Sequence, residues 1–168
     1  MKDAGQAGSG TVKMKRRDAW ARVLRASIDV HRFEGRRAYT NQSMLVDFNI
    51  YYANRGLMIV DRERALTEKQ ALRYVYEAIG LLPWLGNDTE EGGSEMPYGA
   101  HYYQITRKGL SRELGWVGTY GETILRFSRD VAEFSGDEKV KQQLTKIQSA
   151  RIIFRYPSVD PEGGRIMS

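Results

Sequence analysis

The residues of this chain most able to do chemistry are the amides of one aromatic-rich segment, TNQSMLVDFNIYYANRGL, which covers residues 40–57. Helix propensity does not favour so many amides, so something other than propensity accounts for them. In a helix some of these amides would lie on the face that should be buried, where amides need hydrogen-bond partners. Two alternatives follow, a structural network between helices or a ligand site, formed by Asn41, Gln42, Asp47, Asn49, Asn54 and Arg55.

A second group of chemically able side chains lies around His101, in the stretch PYGAHYYQIT. Here an imidazole and the phenols of Tyr102 and Tyr103 can converge on a substrate. The alternative is that the tyrosines pack their rings at the edge of the core and hydrogen-bond their hydroxyls. The other histidine, His31, is seventy residues away and has no second ligand at helical spacing, so we predict no metal site and no cofactor.

Four blocks of the chain together resemble a known family: TNQSMLVDFNIYYANRGL, ALRYVYEAIGLLPWLGND, YYQITRKGLSRELGWVGTYGE and ARIIFRYPSVDPEGGR. Between residues 18 and 166 the sequence is similar to an interior portion of heparinase-type polysaccharide lyases, which are large secreted bacterial proteins built on an α/α toroid. The resemblance implies a lyase-like helical domain or fragment that acts on or binds acidic polysaccharide. It also implies secretion, if the chain is part of such a protein.

Such lyases eliminate across a uronic acid: an amide or cation neutralises the carboxylate, a His or Tyr takes the C5 proton, and a Tyr protonates the leaving oxygen. The resemblance makes Asn41, Gln42 and Arg55 the candidate neutralisers. Where the family has an adjacent Asn-His, this chain has Asn41-Gln42, and glutamine cannot act as a base. The remaining implied roles are acid or base for His101, Tyr102 and Tyr103, substrate binding for Asn49 and Asn54, and stacking on sugar rings for Trp84 and Trp116.

Three helices are predicted in the first half of the chain from their apolar spacing and caps. The first runs from about Thr11 to Phe33, and its inward residues are Trp20, Val23, Leu24, Ile28 and Val30. The second begins at Thr40, Asn41 or Ser43 and ends near Gly56, with an inward stripe of Met44, Phe48, Tyr51 and Tyr52. The third begins at a Thr67–Gln70 capping box and is stopped by Pro83, with an inward stripe of Leu72, Val75, Ile79 and Leu82.

The second half of the chain predicts two further helices after a short helical turn around Leu110 to Leu114. One begins near Gly121, is broken by Ser135-Gly136 and buries Ile124, Phe127, Val131 and Phe134. The other begins at Asp137, finishes near Tyr156 and buries Val140, Leu144, Ile147 and Phe154. We therefore predict an all-α fold of amphipathic helices packed as α-hairpins, with a disordered tail over 1–10, a helical domain over 11–157 and a loop-like tail over 158–168.

Length and charge narrow the class of protein. The chain has 168 residues, no cysteine and no run approaching eighteen apolar residues, which predicts one globular domain without a membrane span or disulfides. Of the net charge of +5, residues 1–37 contribute ten Lys or Arg against four Asp or Glu, and the remainder is nearly balanced. Two alternatives to the lyase-like function follow: a basic helical module that binds an acidic partner such as nucleic acid, or a structural helical domain with no site.

Overall fold

The computed structural model describes residues 14–35, 40–88, 102–111, 127, 129–152 and 162. Four of the helices in these ranges are α1 (Arg16–Val30), α2 (Thr40–Val60), α3 (Glu68–Ala78) and α4 (Glu138–Ile152). A π-helical turn, His31–Gly35, follows α1, a 3-10 turn, Arg62–Arg64, joins α2 to α3, and residues 129–135 are helical. In these ranges only an isolated bridge, Ile105 to Ser111, has β geometry, so the all-α prediction is confirmed. The α/α toroid stays a prediction.

Helix α2 is the central element because it is buried on two sides. One side packs Met44, Phe48 and Tyr51 into a core shared with α3, α4, Ile105 and Val131. The other side packs Ile50, Ala53 and Leu57 against α1 and Tyr74. A helix enclosed on two sides has little room for a polar face, so its polar residues must either find partners or lie on the narrow strip that remains.

The inward face predicted for the first helix is wrong for three of its five residues. Trp20, Val23 and Val30 are exposed, whereas Ala21 and Ile28 are buried and Leu24 packs beside them. Helix α1 carries two apolar stripes, and the one formed by Ala21, Leu24 and Ile28 faces α2, where the two helices approach closely. A Cβ added at Gly56 would lie 3.1 Å from Leu24 Cδ1, so only glycine leaves that leucine its full space.

The predicted end of the second helix near Gly56 is also wrong, since α2 continues for another turn to Val60. Gly56 is a point of close packing and not a helix end. The predicted inward stripe is confirmed for Met44, Phe48 and Tyr51, which are all buried, while Tyr52 is half-buried against the same core.

Helix α3 begins as predicted and ends earlier than predicted. The Thr67 hydroxyl accepts the Gln70 N–H, and the Gln70 side chain accepts the Thr67 N–H, which completes the capping box. The helix ends at Ala78, not at Pro83, because Gly80 adopts a φ of 75° and closes a Schellman motif. In that motif the Leu81 N–H donates to Tyr76 O at 2.8 Å and the Gly80 N–H donates to Glu77 O at 3.3 Å.

The last two helices agree with the predicted break at Ser135-Gly136. Gly136 has a φ of 61°, and Asp137 Oδ1 then accepts the Val140 N–H at 3.0 Å, so Asp137 caps α4. The buried residues here are Val131, Val140, Leu144 and Ile147, whereas Phe127 and Phe134 are exposed, contrary to prediction. Ile124, Phe154 and the end of the last helix beyond Ile152 lie outside the described residues.

A tight turn over Thr106 to Leu110 leads into the segment that was predicted to form a helical turn, Leu110 to Leu114. Its hydrogen bonds are not those of a helix. The Leu110 carbonyl accepts the Thr106 N–H at 2.8 Å, and the Gly109 N–H donates to Thr106 O at 2.9 Å. Residues 112–114 lie outside the described ranges, as do both predicted tails apart from Glu162.

Gly80→Ala is expected to lower the free energy of unfolding by about 2 kcal/mol, because an L residue is strained at positive φ and the added methyl needs room. A Cβ at this position would lie 2.6 Å from Ile105 Cβ and 3.0 Å from Ile105 O. Gly136→Ala is the matched control, since its φ is also positive but nothing lies within 4 Å of its Cβ. Urea unfolding of both variants separates strain from clash, and equal losses would contradict the packing role of Gly80.

Candidate functional site

Residues 102–105 join the first turn of α2 to the segment after α3. The Trp84 N–H donates to Tyr102 O at 2.9 Å, and the Thr40 hydroxyl donates to Gln104 Oε1 at 2.9 Å. These two hydrogen bonds link residues far apart in sequence, and the second places the beginning of α2 directly against Gln104.

The face of α2 that begins at Thr40 carries buried polar side chains. Thr40, Ser43 and Asp47 follow one another at helical spacing on α2, and all three are fully buried, as is Gln104. Gln104 Nε2 is buried without a hydrogen-bond partner. A buried amide donor in this condition is uncommon in native proteins and is normally explained by a bound acceptor or by ordered water.

Four of the predicted site residues lie at this end of the molecule. Asn41 and Tyr102 are half-buried, Gln42 is exposed, and Tyr103 is 36% exposed. The Asn41 side-chain oxygen accepts the Gln42 N–H at 2.7 Å. We call these four residues the α2 polar site, because they are close in sequence to Thr40 and Gln104, whose hydrogen bond joins the two segments.

The other predicted site residues lie elsewhere. Arg55 is fourteen residues along α2 from Asn41, about 21 Å at the helical rise, and its guanidinium lies 3.7 Å from Glu68. Trp84 is only 3% exposed, so its indole is enclosed and cannot stack on a sugar. Asn49 is exposed, 3.4 Å from His31. His101 and Trp116 lie outside the described residues.

Asn54 belongs to a structural contact. Its Nδ2 donates to Leu66 O at 3.0 Å, and its Oδ1 accepts the Leu66 N–H at 2.8 Å, while the side chain is fully buried. The amide therefore satisfies both backbone groups of one residue in the connection between α2 and α3. Of the two alternatives for the 41–55 segment, the network applies at Asn54.

An ionic cluster around Asp88 was not predicted from the sequence. Arg32 Nε donates to Asp88 Oδ2 at 2.9 Å and contacts Tyr74 Oη at 2.7 Å, Arg73 donates to Asp88 Oδ1 at 2.7 Å, and the Tyr74 hydroxyl donates to Asp88 Oδ2. The Asp88 N–H also donates to Arg32 O at 2.8 Å. Arg32, Arg73 and Asp88 are far apart in the sequence and meet only in the folded chain. No local spacing therefore predicts this cluster.

The protonation behaviour of this cluster follows from its contacts. Burial alone raises the pKa of Asp88, but hydrogen bonds from Tyr74 and Arg32 and the charge of Arg73 outweigh it and hold that pKa below its ordinary value. Burial and the bond to Asp88 raise the pKa of Tyr74 to about 12. Arg73 also lies 2.8 Å from Glu77, so two cations face two carboxylates. This balance of charge indicates a structural role: the cluster holds residues 84–88 against α3 and the π-helical turn.

An open cleft runs along α1 beside the 3-10 turn, with a volume of about 540 Å³. Its charged lining is mixed: Arg25 pairs with Asp29 at 3.5 Å, and Arg64 pairs with Asp61 at 3.5 Å. Across the described ranges, no three His, Cys, Asp or Glu side chains cluster as metal ligands would. None of the described helices combines the length and the apolar character needed to span a membrane.

Comparison with protein-family models, with curated proteins and with solved structures produced no match to this chain.

Proposed function

We propose that the chain binds an acidic saccharide at the α2 polar site and that this binding serves a lyase-like activity. The observation that carries the proposal is the hydrogen bond from Thr40 to Gln104, because it brings Asn41 and Gln42 to the segment that holds Tyr102 and Tyr103. These four are among the residues to which the resemblance to heparinase-type lyases gives a role, and the α/α toroid is part of the same proposal.

The chemistry of the α2 polar site suits a sugar acid. Amides donate and accept hydrogen bonds at once, as do phenols, and hydroxyl-rich ligands need both. The N-terminus of a long helix such as α2 carries partial positive charge that favours a carboxylate. Two exposed cations, Arg107 and Lys108, lie on the turn that follows Gln104. In an elimination, Asn41 and Gln42 would neutralise the uronate carboxylate. Tyr102 or Tyr103 would take the C5 proton and protonate the leaving oxygen.

The double variant Asn41→Ala/Gln42→Ala is expected to weaken binding of a uronate oligosaccharide about tenfold, which corresponds to the loss of about one net hydrogen bond to a charged group. Titration calorimetry against a panel of uronate and neutral oligosaccharides measures this. Absorbance of the unsaturated uronate product, followed on the same panel, tests for elimination.

Asn49→Ala is the matched control, since it removes an exposed amide from the same helix about two turns away. It should leave binding unchanged. Equal affinity for neutral and acidic sugars, or unchanged affinity in the double variant, would contradict the proposal.

A second candidate function, binding of nucleic acid, is favoured by the exposure of Lys15, Arg16, Arg22 and Arg25 on α1. It predicts binding to a labelled duplex that weakens with salt, and Lys13→Gln/Lys15→Gln/Arg16→Gln should make the slope against log salt shallower by about 0.9 per lost phosphate contact. Lys139→Gln/Lys141→Gln/Lys146→Gln makes the same charge change on exposed positions of α4 and is the control. If both triple variants retain the parent slope, α1 does not bind phosphates.

A further inference from the structure

The tight turn that follows the α2 polar site carries two exposed cations on a rigid support. Thr106 closes this turn with three hydrogen bonds: its N–H donates to Leu110 O at 2.8 Å, its carbonyl accepts the Gly109 N–H at 2.9 Å, and its hydroxyl accepts the Leu110 N–H at 3.1 Å. Arg107 and Lys108 are the two central residues of the turn, and both are exposed. The turn therefore presents two positive charges to solvent.

Gly109 determines where this turn lies on α4. Its φ is 89°, and a Cβ at this position would lie 2.8 Å from Lys146 O and 3.1 Å from Ala150 Cβ. The turn thus packs directly against the backbone of α4 beside Lys146, whose side chain is exposed. This packing brings Arg107, Lys108 and Lys146 into one region of the surface, although they come from two separate segments.

Helix α4 extends the positive surface. Lys139 is also exposed, and it lies seven residues before Lys146, on the same side of the helix and about 10 Å away. Together, α4 and residues 102–111 contain six Lys or Arg and a single acidic residue, Glu138. We use the name basic face for four exposed cations: Arg107, Lys108, Lys139 and Lys146.

The cations of the basic face are not neutralised by the part of the fold that the structure describes. The ion pairs found among the described residues all use arginines of α1, α2, α3, the π-helical turn, the 3-10 turn or residues 129–135. The cleft along α1 differs in this respect, because two of its arginines pair with aspartates. Cations that lack such partners attract and concentrate a polyanion at their surface.

We propose that the basic face binds the continuation of an acidic polysaccharide chain whose first uronate lies at the α2 polar site. This inference rests on the proposed function, because the two surfaces share one segment. Arg107 follows Tyr103 by four residues, which is a span of at most about 14 Å. The polysaccharide would run from Tyr103 across the turn to Lys146 and on to Lys139. The ligand class is then a polymer of uronate units.

The spacing of the cations favours a polyuronate over nucleic acid. A DNA duplex carries one phosphate charge per about 1.7 Å of its axis, whereas Lys139 and Lys146 are about 10 Å apart. A uronate chain carries at most one carboxylate per sugar unit, so its charges are more widely spaced. Its hydroxyls also need the amides and phenols that the α2 polar site supplies.

Titration calorimetry with a uronate disaccharide and with a longer oligomer of the same sugar tests the proposal, because only the longer chain reaches α4. The parent should bind the longer oligomer at least about tenfold more tightly, since several weak ion pairs add together, and salt should reduce this advantage. Lys139→Glu/Lys146→Glu should remove the advantage by reversing two charges. It should leave the affinity for the disaccharide within about twofold of the parent.

Arg62→Glu/Lys69→Glu is the matched control, because it makes the same change of charge at two exposed cations on the 3-10 turn and α3. It should keep the preference for the longer oligomer. An equal loss of that preference in both double variants would show that only net charge matters and would overturn the basic face. Circular dichroism melting checks that each variant retains the fold, since all four side chains lie at the surface.

The basic face and the α2 polar site can fail separately. Asn41→Ala/Gln42→Ala with the parent affinity, together with a loss in Lys139→Glu/Lys146→Glu, would contradict the proposed function and retain the basic face. The opposite pattern would overturn the basic face alone, as would a parent chain that binds both oligomers equally. A labelled duplex that displaces the longer oligomer and binds more tightly than it does would assign the basic face to nucleic acid, which also overturns the proposal.

Discussion

Asn54→Ala is expected to lower the free energy of unfolding by about 3 to 4 kcal/mol, the largest effect of any single substitution considered for this protein. The side chain is fully buried, and its two hydrogen bonds satisfy both backbone groups of Leu66. Its removal leaves the partly buried N–H and carbonyl of Leu66 without partners, and each such loss costs about 1 to 3 kcal/mol. Urea unfolding followed by circular dichroism measures the change.

The two hydrogen bonds of Asn54 can be separated by a second variant. Asn54→Asp keeps an acceptor for the Leu66 N–H but loses the donor to Leu66 O, and it adds a buried charge, so it should also be strongly destabilising. Asn49→Ala, an exposed amide on the same helix, should stay within about 0.5 kcal/mol of the parent. A loss below about 1 kcal/mol in Asn54→Ala would show that water replaces the amide and that the contact is not structural.

Asp88→Asn is expected to cost about 3 kcal/mol at neutral pH. The substitution keeps the shape of the side chain but removes the charge that holds Arg32 and Arg73, and breaking such a group costs about 3 to 5 kcal/mol when it is fully buried. The Asp88 side chain is 9% exposed, whereas the two arginines are 25% and 37% exposed, so solvent reduces the cost toward the lower end of that range. Asp29→Asn removes a surface pair with Arg25 and should cost less than about 0.5 kcal/mol.

The pH dependence of this effect has a definite sign. The pKa of Asp88 is lower in the folded protein than its ordinary value of 3.8, so the unfolded chain binds the proton more readily. The stability that Asp88 contributes is therefore fully present above that ordinary value, and it is lost as the pH falls through the lowered pKa of the folded state. Denaturation of the parent and of Asp88→Asn at pH 7, 5 and 3 should show a difference that narrows at pH 3. A constant difference would contradict this account.

Local sequence signals were sufficient for the beginnings of several helices. The Thr67–Gln70 capping box and the Asp137 cap depend on residues within three positions of each other, and both are found in the structure. The end of α3 was missed because Pro83 is a strong local signal, yet Gly80 acts first by adopting positive φ beside Ile105. Whether a glycine takes that conformation depends on what packs against it, which local spacing does not describe.

The candidate site was only partly accessible to sequence reasoning for the same reason. The segments of Asn41 and Gln42 and of Tyr102 and Tyr103 are joined by the bond between Thr40 and Gln104, whereas the length of α2 places Arg55 at the other end of the helix. The Asp88 cluster had no local signal, since the Arg32 to Asp88 contact spans 56 residues.

The polar segment from Asn41 to Arg55 shows most clearly which features follow from the sequence and which follow only from tertiary packing. The sequence by itself determined that these residues form a helix with an apolar side and more amides than helix propensity explains. Only the tertiary structure decided that Asn54 is bonded to Leu66, twelve residues away, and that Thr40 at the head of the segment is bonded to Gln104, 64 residues away. It also decided which stripe of α1 faces inward. Caps and periodicity act between neighbours in sequence, whereas the partner of a buried amide and the better-fitting face of a helix depend on packing between distant segments.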